Sequence, residues 1–185
     1  NESDFFTSNI LGALNLLNSC IQKNIKGIIL ISTINVYGEN LERSSKETDK
    51  LNPKTTYGII KMITESIYKE FSEKYGINVT VLRFANIYGP TKKTGFVNTI
   101  INSLVDKKII PICYHDGKQE RDFFFLNDSI DSIKKAIDYD HNWFQIFNIS
   151  SGNKISINSI VLKIEEITNS KIILEYSSKI TDEQF

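Results

Sequence analysis

The sequence predicts an α/β fold built on a doubly wound parallel sheet, followed by a smaller α/β region. Three observations carry that expectation. Helical apolar patterns and strand-like apolar runs alternate through the first half of the 185 residues. The helical spacers are about 10–20 residues long, the length of a crossover that brings the next strand back parallel to the last. An apolar share of 41%, with 11% aromatic residues, is enough for one buried core.

Phe5, Phe6, Ile10, Leu14, Leu17 and Ile21 recur at helical spacing and predict the first helix, with Ser3 or Asp4 as its N-cap. A helix that packs on a parallel sheet normally follows a strand, and none precedes this one. Ile28 to Ile31 form the first predicted strand, entered through Lys26-Gly27 and ending in Ser32-Thr33. Val36-Tyr37-Gly38 follows, and the polar segment from Glu39 to Lys50 reads as a surface loop. Pro53 with Thr55 or Thr56 opens a second helix, which runs through Ile63, Ile67, Phe71 and Tyr75 to a stop at Gly76. Asn78 to Phe84 is a buried strand.

Beyond Gly89-Pro90 the pattern changes. Phe96 to Val105 is an amphipathic helix, Ile109 to Cys113 a short strand and His115-Asp116-Gly117 a turn. Arg121 to Leu126 is an aromatic strand, and Asn127 or Asp128 caps a helix through Ile130, Ile133 and Ile137. Phe144 to Ser150 is a strand, Ser151-Gly152-Asn153 a turn, Ser156 to Thr168 a helix and Lys171 to Tyr176 the last strand.

The chemistry lies between the first strand and the second helix. Residues four apart on a helix share a face, so Tyr57 and Lys61 address one small volume. A fixed ammonium favours phenolate, so Lys61 is expected to pull the Tyr57 pKa down from roughly 10 and make it a general base. Thr33, delivered by the strand, would hydrogen-bond the same substrate oxygen. The bare Tyr-x-x-x-Lys pattern is weak, because it also occurs at Tyr88/Lys92 and Tyr114/Lys118. Gly89-Pro90 and Asp116-Gly117 put turns inside those two, leaving only Tyr57/Lys61 on a helix.

Composition excludes other classes. Lys plus Arg equal Asp plus Glu at 22 each, so no overall field draws nucleic acid or an anionic membrane. Cys20 and Cys113 read as reduced core thiols of a cytoplasmic protein, and His115 and His141 as loop residues rather than metal ligands. No run approaches the roughly 18 apolar residues of a membrane span.

Six segments in register resemble the NAD-dependent epimerase/dehydratase group of extended short-chain dehydrogenase/reductases. Asn9-Ile10-Leu11-Gly12-Ala13 resembles the family's Asn-x-x-Gly-Thr helix, and Ser32-Thr33-Ile34-Asn35-Val36-Tyr37-Gly38 its Ser-Ser/Thr-x-x-Val-Tyr-Gly segment. The stretch from Pro53 to Lys61 matches the Tyr-x-x-x-Lys segment with its upstream Pro. Leu82-Arg83-Phe84-Ala85-Asn86-Ile87-Tyr88-Gly89-Pro90 is similar to Leu-Arg-x-x-Asn-x-Tyr-Gly-Pro. Gly117 to Phe123 resembles the segment whose Arg holds the nucleotide's phosphates, and Phe147 to Gly152 a later Asn-x-x-x-Gly turn.

The resemblance implies a Rossmann-like sheet. Residues 1–90 would be the C-terminal half of the dinucleotide-binding domain, and residues 91–185 mainly the substrate-binding region, interleaved with returning Rossmann elements. It implies Thr33, Tyr57 and Lys61 as catalytic, Asn9, Ser32, Tyr57, Lys61 and Ala85 at the cofactor, Thr33, Asn86 and Arg121 at the substrate, and no metal. The cofactor would be NAD, with NADP left open, and the partner a nucleoside-diphosphate sugar. A homodimer formed through the helix bearing Tyr57 and the one before it is also implied.

A C4 epimerase is favoured over a 4,6-dehydratase, because the dehydratase's Asp-Glu after the Thr is replaced by Ile34 and Asn35. A reductase, a non-catalytic relative that binds dinucleotide or nucleotide sugar, and an inactive fragment are the other readings. More modest roles also stand: Thr33 as a strand end, Asn86 as a turn former, Arg121 as an ion-pair partner of Asp122 or Glu120. The nine glycines are scattered, with no Gly-x-Gly or Gly-x-x-Gly, whereas a Rossmann phosphate turn needs clustered glycines. The chain is therefore expected to be a fragment that begins beyond that turn and is also short at Phe185.

Overall fold

The computed structural model describes residues 2–38, 43–90, 95–106, 111–140 and 143–177. They form two compact units. The first joins the described residues up to Phe84 with Ile130–Ile149, and the second joins Ala85–Ser129 with the described residues from Ser150 onward.

In the first unit, α1 (Glu2–Gln22) leads to β1 (Gly27–Thr33), a 3₁₀ turn (Ile34–Tyr37), α2 (Thr56–Tyr75) and β2 (Asn78–Phe84). The chain leaves this unit after β2 and returns within α4 (Leu126–Asp138), then adds β6 (Phe144–Ile149). Strands β1, β2 and β6 make one parallel sheet with β2 at its centre, as the alternation of helices and strands predicts. Two-residue alternation sorts its faces. Ile28 and Leu30, Val79 and Val81, and Phe144 and Ile146 meet Ala13, Leu17, Cys20, Tyr68 and Phe71 of the two helices. Val79, Val81 and Leu17 are wholly buried, each contributing about 1.5–3 kcal/mol of hydrophobic stabilisation.

Local signals place the ends of α2. The Thr55 side chain accepts from the Gly58 amide at 3.0 Å, satisfying a donor that the first helical turn leaves orphaned. At the far end Gly76 adopts the left-handed conformation and returns its amide to the Ser72 carbonyl at 3.0 Å. Gly58 is required by closeness, because a Cβ there would stand 2.8 Å from the Asn35 carbonyl oxygen.

The second unit holds β3 (Asn86–Tyr88), α3 (Phe96–Val105), β4 (Ile112–Tyr114), β5 (Glu120–Phe125), β7 (Lys154–Ser156), α5 (Ile157–Thr168) and β8 (Glu175–Ser177). Parallel β3 and β5 form a sheet with antiparallel β7, and β4 pairs with β8 in parallel.

Several sequence expectations are corrected. Helix α1 already includes Ser3 and Asp4, so neither is its N-cap. Helix α4 starts at Leu126, directly out of β5, which leaves Asn127 and Asp128 inside its first turn, where Asp128 suits the helix dipole. Strand β6 ends at Ile149 rather than Ser150. The last strand shrinks to Glu175–Ser177 because its pairing with β4 is three residues long and the Ile172 amide donates to Glu165 of α5 at 2.8 Å. Residues 109 and 110 of the expected fourth strand lie outside the described residues, as do Lys92, His141 and the start of the 39–50 loop. The three-residue strands β3 and β7 were not anticipated, being too short to carry a period. Cys20 and Cys113 are buried thiols.

Candidate active site

Strand β1 delivers Thr33 at its C-terminal end, level with Phe84 of β2. Thr33 is extended and caps the 3₁₀ turn, its Oγ1 accepting from the Asn35 amide at 3.3 Å. Tyr57 and Lys61 stand on the first two turns of α2. The Thr33 hydroxyl is close enough to the Tyr57 phenol to favour its ionised form. The Lys61 Nζ donates to the Ile31 carbonyl at 3.2 Å and lies 5.9 Å from the centre of the Tyr57 ring. Thr33, Tyr57 and Lys61 are thus brought together within the first unit.

The phenol's acidity departs from expectation. Burial pushes the Tyr57 pKa above its ordinary value, and the Thr33 hydroxyl only partly offsets it. Lys61 does not pull it down: burial also lowers the amine, the Glu65 charge pushes the other way, and the ammonium is engaged by Ile31. Desolvation outweighs the charge at this separation.

Ser32 is buried and its hydroxyl donates to the Glu65 carboxylate, so that group faces α2. Glu65 is itself buried and accepts from Arg83, with Nη2 at 2.6 Å and Nε at 3.1 and 3.2 Å. The Arg83 Nη1 donates to the Tyr37 hydroxyl at 2.6 Å, and Tyr37 donates to Asn148 Oδ1 at 2.7 Å. Burial opposes the Arg83 charge, but Glu65 and Tyr37 more than compensate and hold its pKa above the ordinary guanidinium value. Burial pushes the Tyr37 phenol up despite Arg83 beside it. The Asn148 amide donates to Glu47 at 2.8 Å and its Nδ2 to the Ser45 carbonyl at 3.0 Å, so part of the expected surface loop is fastened to β6.

This network was missed. Only the spacing of Glu65, four residues after Lys61, could have flagged it.

Asn9 is half-buried on α1. Ala85 is buried between β2 and β3. Asn86 and Arg121 belong to the second unit, on the neighbouring strands β3 and β5, where Asn86 pairs with Phe123. The Asn86 Nδ2 donates to the Asp122 carbonyl at 3.2 Å, and Arg121 Nη1 to the Glu120 carbonyl at 3.0 Å. The Asp122 carboxylate accepts from the Ser151 and Gly152 amides at 2.9 and 2.8 Å, fixing the turn after β6. Tyr114 ends β4 just before the turn with Lys118, so that Tyr-x-x-x-Lys spacing is not helical. Among the described residues no group of three or more His, Cys, Asp or Glu side chains is placed to hold a metal ion. Nor is any described helix long and apolar enough to cross a membrane.

A sequence model of the NAD dependent epimerase/dehydratase family matches residues 1–150. The chain belongs to this family. It is 30% identical over 176 residues to the uncharacterized UDP-glucose epimerase YtcB of Bacillus subtilis, covering 95% of this chain and 55% of that one. It is also 30% identical to the UDP-N-acetyl-alpha-D-glucosaminuronate decarboxylase of Bacillus cytotoxicus, over 90% of this chain and 54% of the other. Among solved structures, UDP-glucuronic acid 4-epimerase from Bacillus cereus, in complex with UDP-glucuronic acid and NAD, superposes with a TM-score of 0.88 at 25% identity. That match covers 95% of this chain and 56% of the epimerase. The chain thus spans about half the length of the relatives it matches, and its α/β architecture is that of the family's Rossmann fold.

Proposed function

We propose that the chain provides the proton-transfer site of a NAD-dependent nucleotide-sugar epimerase, acting at C4 of a nucleoside-diphosphate sugar through a transient 4-keto sugar. The observation that carries this reading is the convergence of the Thr33 hydroxyl, the Tyr57 phenol and, one helical turn away, the Lys61 ammonium. Tyr57 takes the proton of the sugar hydroxyl and returns it, and Thr33 holds that oxygen at the phenol. Burial raises the phenol's pKa in the chain by itself, so the charge of Lys61 and the oxygen held by Thr33 have to favour the phenolate for Tyr57 to act as the base.

Within the first unit, Lys61 carries a donor suited to the ribose hydroxyls of NAD and Asn9 is the further candidate for that side, while the Ser32 hydroxyl is engaged by Glu65. NAD, where bound, would supply the hydride chemistry at C4, leaving the proton of the sugar hydroxyl to Tyr57. Arg121 would take the diphosphate and Asn86 the sugar, the first unit serving the dinucleotide and the second the nucleotide sugar.

Ile34 and Asn35, in the 3₁₀ turn after Thr33, carry no acid or base, which favours epimerisation over dehydration or decarboxylation. We place the protein in the cytoplasm, where buried thiols such as Cys20 persist. We also assign it a homodimer joined through α1 and α2. An apolar groove of about 360 Å³ runs along these helices, lined by Leu14, Met62, Ile67 and Phe71.

Replacing Tyr57→Phe tests the function. Loss of sugar conversion by roughly 10²- to 10⁴-fold, with the fold retained, is expected. Conversion at the wild-type rate would remove Tyr57 as the base.

A further inference from the structure

We infer that Arg83 is a positioning residue: by occupying both carboxylate oxygens of Glu65 it keeps Lys61 turned toward Tyr57. This rests on the proposed role of Tyr57 and identifies what guards its partner amine.

Tyr57, Lys61 and Glu65 follow one another at intervals of four on α2 and share a face. Lys61 therefore stands between a phenol one turn before it and a carboxylate one turn after. A buried carboxylate demands a cation, and Glu65 is 3% exposed. Were Lys61 to answer that demand, its ammonium would swing away from the phenol. Arg83 answers it instead, with Nη2 on Oε2 at 2.6 Å and Nε within 3.2 Å of both oxygens, while the Ser32 hydroxyl takes Oε1. Lys61 stays on the Ile31 carbonyl at 3.2 Å, beside the Tyr57 ring.

The guanidinium is fixed from behind. Tyr37 accepts from its Nη1 at 2.6 Å and is tied in turn to Asn148. The groups facing the ion pair include Ser32 from β1, Tyr37 from the 3₁₀ turn, Lys61 from α2 and Glu47 of the loop, whose carbonyl accepts from Arg83 Nη1 at 3.5 Å and whose carboxylate accepts from the Asn148 amide. Thr33 and Lys61 are among those facing Tyr57. The Ser32 bond also ties the residue next to Thr33 to the helix that carries the phenol.

Competitive acylation of the chain at pH 8 by acetic anhydride, read by mass spectrometry at Lys61, tests the inference, because only the neutral amine reacts. Arg83→Met releases the Glu65 charge onto Lys61 and is expected to slow its labelling about tenfold, the effect of one unit in the amine's pKa. Glu65→Leu/Arg83→Met removes the pair as a unit, a change that buried pairs tolerate, and is expected to label within about twofold of wild type. Simple loosening of the fold would instead speed labelling in both variants.

Labelling of Arg83→Met at or above the wild-type rate would overturn the inference. If that variant does not fold, the double variant decides, and a tenfold departure in either direction overturns it. The readout involves no sugar turnover, so an active Tyr57→Phe enzyme would sink the proposed base while leaving this result standing.

Discussion

Lys61 of α2 donates to the Ile31 carbonyl of β1 at 3.2 Å, pinning the helix that carries Tyr57 to the strand that ends in Thr33. A side chain expected to tune a phenol and meet the cofactor also links two secondary-structure elements. Its neighbours on the helix share that work, and each contributes a consequence that can be measured.

Gly58 lets the first turn of α2 approach the 3₁₀ turn. In Gly58→Ala the new Cβ would lie 2.8 Å from the Asn35 carbonyl oxygen and 3.0 Å from the Pro53 Cβ, and backbone has to yield. Thermal denaturation should show a midpoint lowered by about 3–10 °C, corresponding to roughly 1–3 kcal/mol of overpacking. An unshifted midpoint would mean that the approach is not tight.

Alkaline stability follows from the phenols. Tyr57, Tyr37 and Tyr68 are all raised above their ordinary value by burial, so the stability they contribute is intact below about pH 10 and is lost as pH climbs through their folded values. Lys61, lowered by burial, acts in the opposite sense: its contribution is present above its unfolded value near 10.5 and lost as pH falls through the folded one. Three phenols outweigh one amine, so melting midpoints should fall above about pH 10. The fall should be shallower by one proton in Tyr57→Phe. Equal slopes for the two proteins would contradict the burial of Tyr57.

In the second unit, Asp122 anchors the turn at Ser151 and Gly152 through both carboxylate oxygens. Asp122→Asn replaces one acceptor by a donor, and about 1–3 kcal/mol of local stability should go with it. Hydrogen exchange of the Ser151 and Gly152 amides should accelerate at least about tenfold, while the amides of β2 exchange as before.

The proposed dimer is open to direct measurement. Met62 and Phe71 line the apolar groove on α2, and a charge there would be stranded inside an interface. Light scattering of Met62→Glu should give the mass of one chain where the wild type gives two. A wild type of one-chain mass would remove the homodimer.

The local grammar of this fold was legible in its residues. Thr55 and Gly76 bracket α2, and the seven apolar-rich residues from Asn78 form the central strand, because caps and periodicity act between near neighbours. Tyr57, Lys61 and Thr33 could be singled out by spacing and strand end, and they do converge. What could not be read depends on partners distant in sequence. Arg83 stands in the sequence as part of a buried strand and of the Leu-Arg-x-x-Asn resemblance, with no partner indicated, yet its bonds reach Glu65, 18 residues away, and Tyr37, 46 residues away. The direction of the Tyr57 shift was misjudged for a related reason: helical spacing reveals which charge is near, but not how much water has been removed.

The position of β6 has a consequence for biosynthesis. Strand β2 pairs with β1 on one edge, but its other edge finds β6 only after the whole Ala85–Ser129 segment of the second unit has been made. A nascent chain therefore carries an unsatisfied strand edge while residues 85–143 are made, and the loop held by Asn148 must wait as long. The open β2 edge is most exposed to mispairing in that interval, before β6 exists to cover it.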